Sequence, residues 1–506
     1  MFAGIRGLLV VIALVAPVGD VAVAASTSAT GRPAPQGTAL AYEQKVRRAL
    51  ELAGNNGSVI ADPALSAVIA DPSFNGLASS QQYVVLATAT LVAINLGQFP
   101  RARDLSKRAT LVDPENPDEL YQLSQLSRVT GDTEGAGTSL IQFSERWPEL
   151  LDNLEQVHIQ QTVQFLDHDS PTRLALLKAL FDANWDRNGA GASPMWFDLA
   201  ALQIEHGDNA AAAVSMKRVT TPAELVKLRI DRRFDSLVDR DSWRFNVENA
   251  AKQRVEALAV LTQAKPRSLS IRSEYIDALL TVGLHDEALA QADAAIAEIA
   301  EAGSDSDSAP FDDMRLQVWL HDSRAIALRR LGRPEEAVAV MERASGMSES
   351  GAPNISQVIN LGQLYCALGR GGDAAATVAR VGKNLTGYGQ MALAMVQQCA
   401  ALQSGDRAGS DAALAYIREH RKDSPVMLLT ALLEAGMEDE AADAMIAFLA
   451  SPGSRPDVLE WAQGFRQTPP LVGQVRGRNS RDALLARKDV LDAVAKVGRI
   501  EQFAIF

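Results

Sequence analysis

"LGRPEEAVAVMERA", residues 331–344, ends one apolar run at Gly332 and places Ala337 five residues later, inside the next run. The same step returns at Gly97/Ala102, Gly131/Ala136, Gly207/Ala212, Gly283/Ala288, Gly369/Ala374, Gly405/Ser410 and Gly436/Ala441. Successive glycines lie 34, 76, 76, 49, 37, 36 and 31 residues apart. The short spacings cluster around one period in the thirties, and each long one holds about two periods. That period, with helical patterning, predicts an all-α chain: an α-solenoid of helix-turn-helix repeats wound into a curved superhelix.

Each half of the step has a physical cause. In residues 357–381, "QVINLGQLYCALGRGGDAAATVARV", Val358, Leu361, Leu364, Tyr365 and Leu368 recur at three and four, which marks one face of a helix. Gly369 ends it, because glycine takes the left-handed terminal conformation without a Cβ clash. The following helix turns Ala374, Val378 and Val381 inward, and a small residue at 374 lets the two helices cross closely. Each pair buries only part of its apolar surface and needs a neighbour on either side.

The pattern resembles the tetratricopeptide repeat family, whose signature is W-x2-L-G-x2-Y, then A-x3-F, then P. Leu361, Gly362 and Tyr365 reproduce L-G-x2-Y, with Ala374 as the crossing alanine. Trp196 and Leu199 reproduce W-x2-L, followed by Ala212 and Met216; Ala102, Ala109 and Pro114 fit another copy, and Pro148 closes the next. The clearest repeats cover 83–150, 193–226, 269–302 and 318–455, within a solenoid spanning 41–455. Residues 151–190 and 222–265 each have room for one further helix pair. The apolar spacing of Leu484, Leu485, Val490, Leu491, Val494 and Val497 makes 456–506 a C-terminal helical cap over the last repeat.

In this family the first helix of each repeat faces the concave side. The resemblance therefore implies a partner-binding groove lined by Tyr121, Gln125, Arg128, Trp319, Asp322, Arg329, Arg330, Gln363 and Met395. Aromatic, arginine and flexible methionine side chains suit peptide contact. The two cysteines, Cys366 and Cys399, are 33 residues apart and fall on the first helices of adjacent repeats. Two outcomes stay open: a disulfide pinning the repeats, or two small groove-lining thiols, since packed helix axes lie ~8–10 Å apart and a bridge wants Cα atoms within ~7 Å.

The start of the chain reads as an export signal. Arg6 is a thin basic region, residues 8–16 are uninterrupted and apolar, and Ala22-Val23-Ala24 offers a small-x-small cleavage site. Pro17 and Asp20 keep the apolar run short of the ~20 residues that span a bilayer. Residues 1–25 are thus expected to be a signal peptide and 26–40, rich in Ser, Thr, Pro, Gly and Ala, a flexible linker. The expected location is periplasmic or secreted, with no integral membrane segment after cleavage.

Composition narrows the chemistry. Of 506 residues, 47% are hydrophobic and only 5% aromatic, so the core is built of Ala, Leu, Val, Ile and Met, a mix that favours helix. A net charge of −13 argues against nucleic acid, which wants a basic stripe. H-E-x-x-H, G-x-S-x-G and P-loop motifs are absent. The six histidines share no metal-ligand spacing and read as surface or helix-end residues. "GYGQMA", residues 387–392, imitates a dinucleotide fingerprint, but no strand precedes it and it is placed at an inter-repeat turn.

One segment leaves a choice. In 229–245, Arg229, Arg232, Arg233, Arg240 and Arg244 make either an anion patch or the solvated and paired charges of an atypical helix pair. In the second case Phe234, Leu237, Trp243 and Phe245 anchor the pair, and Asp231, Asp235, Asp239 and Asp241 balance the arginines. The function expected is a non-catalytic interaction scaffold without cofactor or metal, holding a peptide or envelope protein. The alternatives are an accessory subunit of an envelope polysaccharide or secretion machine and, behind it, an enzyme whose site carries no known motif.

Overall fold

The computed structural model describes residues 36–55, 57–186, 191–303, 309–349, 352–381, 385 and 387–506. The signal peptide expected over 1–25 and most of the expected linker lie outside them. The linker's last residues do not: α1 begins at Gln36, so 36–40 belong to a helix.

The described residues divide into two compact units, 36–218 and 219–506, where the sequence predicts one continuous solenoid over 41–455. The N-terminal unit holds five consecutive helix pairs. They are α1 (Gln36–Asn55) with α2 (Ser58–Ile69), α3 (Ser79–Asn95) with α4 (Phe99–Val112), α5 (Pro117–Val129) with α6 (Thr133–Arg146), α7 (Gln156–Phe165) with α8 (Pro171–Asp182), and α9 (Ser193–Glu205) with α10 (Asn209–Ser215).

The C-terminal unit holds six more: α11 (Pro222–Ile230) with α12 (Val247–Ala264), α13 (Leu269–Val282) with α14 (His285–Ala302), α15 (Gln317–Arg330) with α16 (Pro334–Ser345), α17 (Ile355–Ala367) with α18 (Gly371–Val378), α19 (Gly387–Ser404) with α20 (Arg407–Glu419), and α21 (Pro425–Ala435) with α22 (Glu438–Ala450). Then come α23 (Arg455–Trp461), α24 (Val475–Ala486) and α25 (Lys488–Val497). The two 76-residue spacings hold the extra pairs α7/α8 and α11/α12. The glycine-rich imitation at 387–392 opens α19 rather than forming a turn.

The punctuation works as the chain spells it. All eight recurring glycines have φ between +70° and +86°, the left-handed region. All seven crossing alanines, and Ser410, are buried. Many helices start on a side chain that accepts from the first turn: Asn116, Asp132, Ser170, Asp208, Asn246, Ser268, Asn354, Asp406 and Ser424. These caps satisfy amides the helix cannot pair internally.

The C-terminal cap does more than cover the last repeat. α24 and α25 pack on α21 and α22, burying Leu484, Val490 and Val494. Helix α23, however, returns to α11, where the Lys227 ammonium lies 3.4 Å from both Asp457 and Glu460. Residues after α25 pair in parallel with β1 (Gly464–Phe465) as β2 (Gln502–Phe503) and continue to the first pairs of the unit. Arg499 N–H donates to Ile230 O at 3.0 Å and Phe506 N–H to Thr281 O at 2.9 Å. The C-terminal unit therefore closes on itself, with its last residues against its first helices.

Candidate functional site

In the N-terminal unit, α5 presents Tyr121, Gln125 and Arg128, and the structure brings them together around His158 of α7. The Tyr121 ring stands edge-on to His158 with centroids 5.4 Å apart, and its hydroxyl accepts from Glu155 N–H at 3.2 Å. Gln125 hydrogen-bonds the same hydroxyl. Burial pushes the Tyr121 phenol up to about 12.

Arg128 Nε–H donates to His158 Nδ1 at 3.1 Å. Because guanidinium only donates, Nδ1 is bare and the ring proton sits on Nε2, 2.8 Å from Ser124 Oγ. Ser124 in turn donates to Ala136 O at 3.0 Å. Burial first, and then the Arg128 charge, hold His158 down at about 3. A histidine that offers its proton to the serine cannot remove the serine's own, so this Ser–His pair activates no nucleophile. His158 is 1% exposed and His321 is also buried, which corrects the expectation that the histidines are surface or helix-end residues.

The neighbouring helix α3 adds a feature missed in the sequence. Val84 and Leu91, seven residues apart on one face, are 41% and 45% exposed. Leu91 stands six residues before Gly97, as Gln125 stands six before Gly131, so both occupy one register position of their repeats. The signal was an apolar residue at a position that is polar in the next copy.

The other six residues belong to the C-terminal unit. Trp319, Arg329, Arg330, Gln363 and Met395 are half-buried, and Asp322 is buried. Asn360 Nδ2 donates to Asp322 Oδ1 at 3.1 Å, and burial lowers Arg329, opposed by the Asp322 charge. Arg330 donates to Leu280 O at 2.7 Å and lies 5.1 Å from the Phe506 ring. Burial and the Arg329 charge lower it to about 10. Arg330 thus faces Phe506 of its own unit. Cys366 and Cys399 are joined in a disulfide, with Cα atoms 6.2 Å apart. The close crossing has a cause in Gly362, where a Cβ would meet Val396 at 2.8 Å and Val378 at 2.9 Å.

The arginines of 229–245 point to backbone and carboxylates. Arg229 binds Arg240 O, Phe245 O and Glu501; Arg232 binds Gly498 O; Arg233 binds Asp231; Arg240 pairs with Asp235; Arg244 binds Val219 O. Phe234 and Phe245 are buried as anchors, but Trp243 is 71% exposed and anchors nothing. It sits at the start of the short 3-10 turn Trp243–Phe245. Among the described residues no group of three or more His, Cys, Asp or Glu is placed to hold a metal ion, and no helix is long and apolar enough to cross a membrane.

No protein-family model matches the chain, and no curated protein matches its sequence. Solved structures do. A tetratricopeptide repeat protein from Parabacteroides merdae is 13% identical, with 71% of this chain and 99% of that one covered and a TM-score of 0.35. Yeast Tom70 is 10% identical, covering 91% and 99%, with a TM-score of 0.31. A Rap protein complexed with competence and sporulation factor is 14% identical, covering 80% and 99%, with a TM-score of 0.32. At such identities the likeness concerns the fold alone, and the helix pairs and left-handed glycines of this chain define its repeats.

Proposed function

We propose that this chain, a tetratricopeptide-like repeat protein, is a non-catalytic scaffold of the periplasm that captures a protein or peptide partner on the exposed faces of its first helices. One observation carries the proposal: in the N-terminal unit, α3 exposes Val84 and Leu91 on one face, and Leu91 holds the repeat position that Gln125 of the Tyr121–Gln125–Arg128 cluster holds in the next repeat. Aliphatic surface left in water on one helix face gains free energy when a partner covers it, about 25 cal/mol per Å². Tyr121 and Arg128 are residue types that concentrate binding energy in interfaces.

The test is capture from envelope extract. The wild-type protein recovers one partner at stoichiometric level; Val84→Asp combined with Leu91→Asp loses that partner while helical circular dichroism stays unchanged. Both positions face solvent, so the fold tolerates the charges. Undiminished recovery by the double variant refutes the assignment of this face.

A further inference from the structure

We propose that the exposed face of α2 is a self-association surface, on which a second copy of this chain pairs its own α2 antiparallel about a twofold axis near Pro63. The proposal is independent of the scaffold assignment, whose Val84 and Leu91 belong to α3.

The face is anomalous for the second helix of a repeat. In α6 the exposed side chains are Glu134, Thr138, Gln142, Glu145 and Arg146, and α4 exposes Asp104, Lys107 and Arg108. In α2 they are Val59, Ile60, Pro63 and Ala67, with Ala70 directly after the helix. Val59 is 75% and Ile60 55% exposed. The polar side chains in the middle of α2 are tied into the unit itself. Arg101 of α4 donates to Asp62 Oδ1 at 2.5 Å and to Ser66 Oγ at 2.7 Å, and the Ser66 hydroxyl donates to Asp62 O at 2.7 Å. A helix that is apolar on its outer side as well as its packed side has the character of an element covered on both.

Two properties of the face select a second copy as what covers it. The first is charge. The chain carries a net −13, so two copies repel where their charged surfaces meet. No exposed residue of α2 is charged, and like copies can approach there without opposing charges.

The second is size. Bulk falls along the face, from Val59 and Ile60 at the start of the helix to Ala67 and Ala70 at its end. Such a gradient complements itself only when reversed. Antiparallel pairing about an axis near Pro63 sets Ile60 of each copy against Ala67 of the other, so a branched side chain meets a methyl and the helices approach closely. Parallel pairing would set bulk on bulk and leave a gap at the alanines. A twofold interface makes every contact twice, so one complementary half completes the whole. With twelve residues, α2 is about 18 Å long, and a joint of that length lies at the small end of protein interfaces, with dissociation in the micromolar range.

Sedimentation equilibrium of the full chain between about 1 and 100 μM tests the pairing. Wild type should rise from one chain mass towards two across that range. Ile60→Glu with Ala67→Glu, at exposed positions that accept a good helix former, should weaken the dimer at least about tenfold, because like charges then oppose each other twice. Ile60→Glu with Ala67→Lys sets acid against base in the antiparallel pair and should associate at least about tenfold more tightly than the first variant. The two variants differ only in the sign of one charge, so their comparison reads the geometry of the pair. A wild type that stays at one chain mass up to about 100 μM has this face covered by something other than a second copy, and overturns the proposal. So does a dimer that the first variant leaves unchanged, and so does equal association of the two variants.

Discussion

Ala374 is fully buried where α18 crosses its partner helix, and its methyl fills the space there. Ala374→Leu overpacks the crossing and should lower stability by about 1–3 kcal/mol, read as a shifted midpoint in urea. His158 makes a second prediction at this scale. Its pKa falls from 6.5 in the unfolded chain to about 3 in the fold, so unfolding takes up a proton between those values. The stabilisation from keeping His158 neutral is whole above pH 6.5 and is lost as pH drops, by about 1.4 kcal/mol per pH unit on the way to 3. His321, held at about 4 by burial and the Arg343 and Arg324 charges, acts in the same direction. His158→Asn should flatten the fall of melting temperature between pH 7 and 4, and a slope identical to wild type would contradict the buried neutral ring. None of this was legible in the sequence. A histidine mid-helix has no spacing that marks it as buried, and its partners Arg128 and Ser124 come from a different helix.

For helices and turns the sequence was far more informative. The recurring glycines fixed every turn they mark, because a left-handed terminus and a close crossing each demand a residue type that repeats. Gly473 and Gly498 repeat nothing and went unseen. A Cβ on Gly473 would collide with the backbone oxygen of Cys366, a constraint imposed by chain about a hundred residues away. The same limit applies to Trp243, which composition made an anchor and which the fold leaves exposed. The disulfide joins α17 to α19 at a sequence separation of 33. Thiol titration of the denatured protein without reductant should find no reactive thiol, and Cys366→Ser with Cys399→Ser should cost about 2–4 kcal/mol. Two reactive thiols per chain would refute the bridge.

Across the whole molecule, periodicity announced a solenoid but not where it divides or that one part closes. Closure depends on pairs such as Arg229–Glu501, separated by 272 residues, and no local pattern encodes them. The groove residues named from the family register met the same limit: Arg330, expected to line a groove, lies against the Phe506 ring instead. Export is a proposal at this scale as well; the intact mass of the protein recovered from the periplasm should lack residues 1–24 or 1–25, and a full-length mass would refute it.

The self-closure of the C-terminal unit also sets a timetable for synthesis. An open solenoid can stack each repeat as it leaves the ribosome or the export channel, since every repeat needs only its neighbour. Here the Arg229 guanidinium waits for Glu501, and a loop of 272 residues must close before that contact forms. A nascent chain stalled before Gly498 would carry finished helices around an unfinished seam. The cell would meet that seam as newly exposed surface, and quality-control proteases would find it at the carboxyl end.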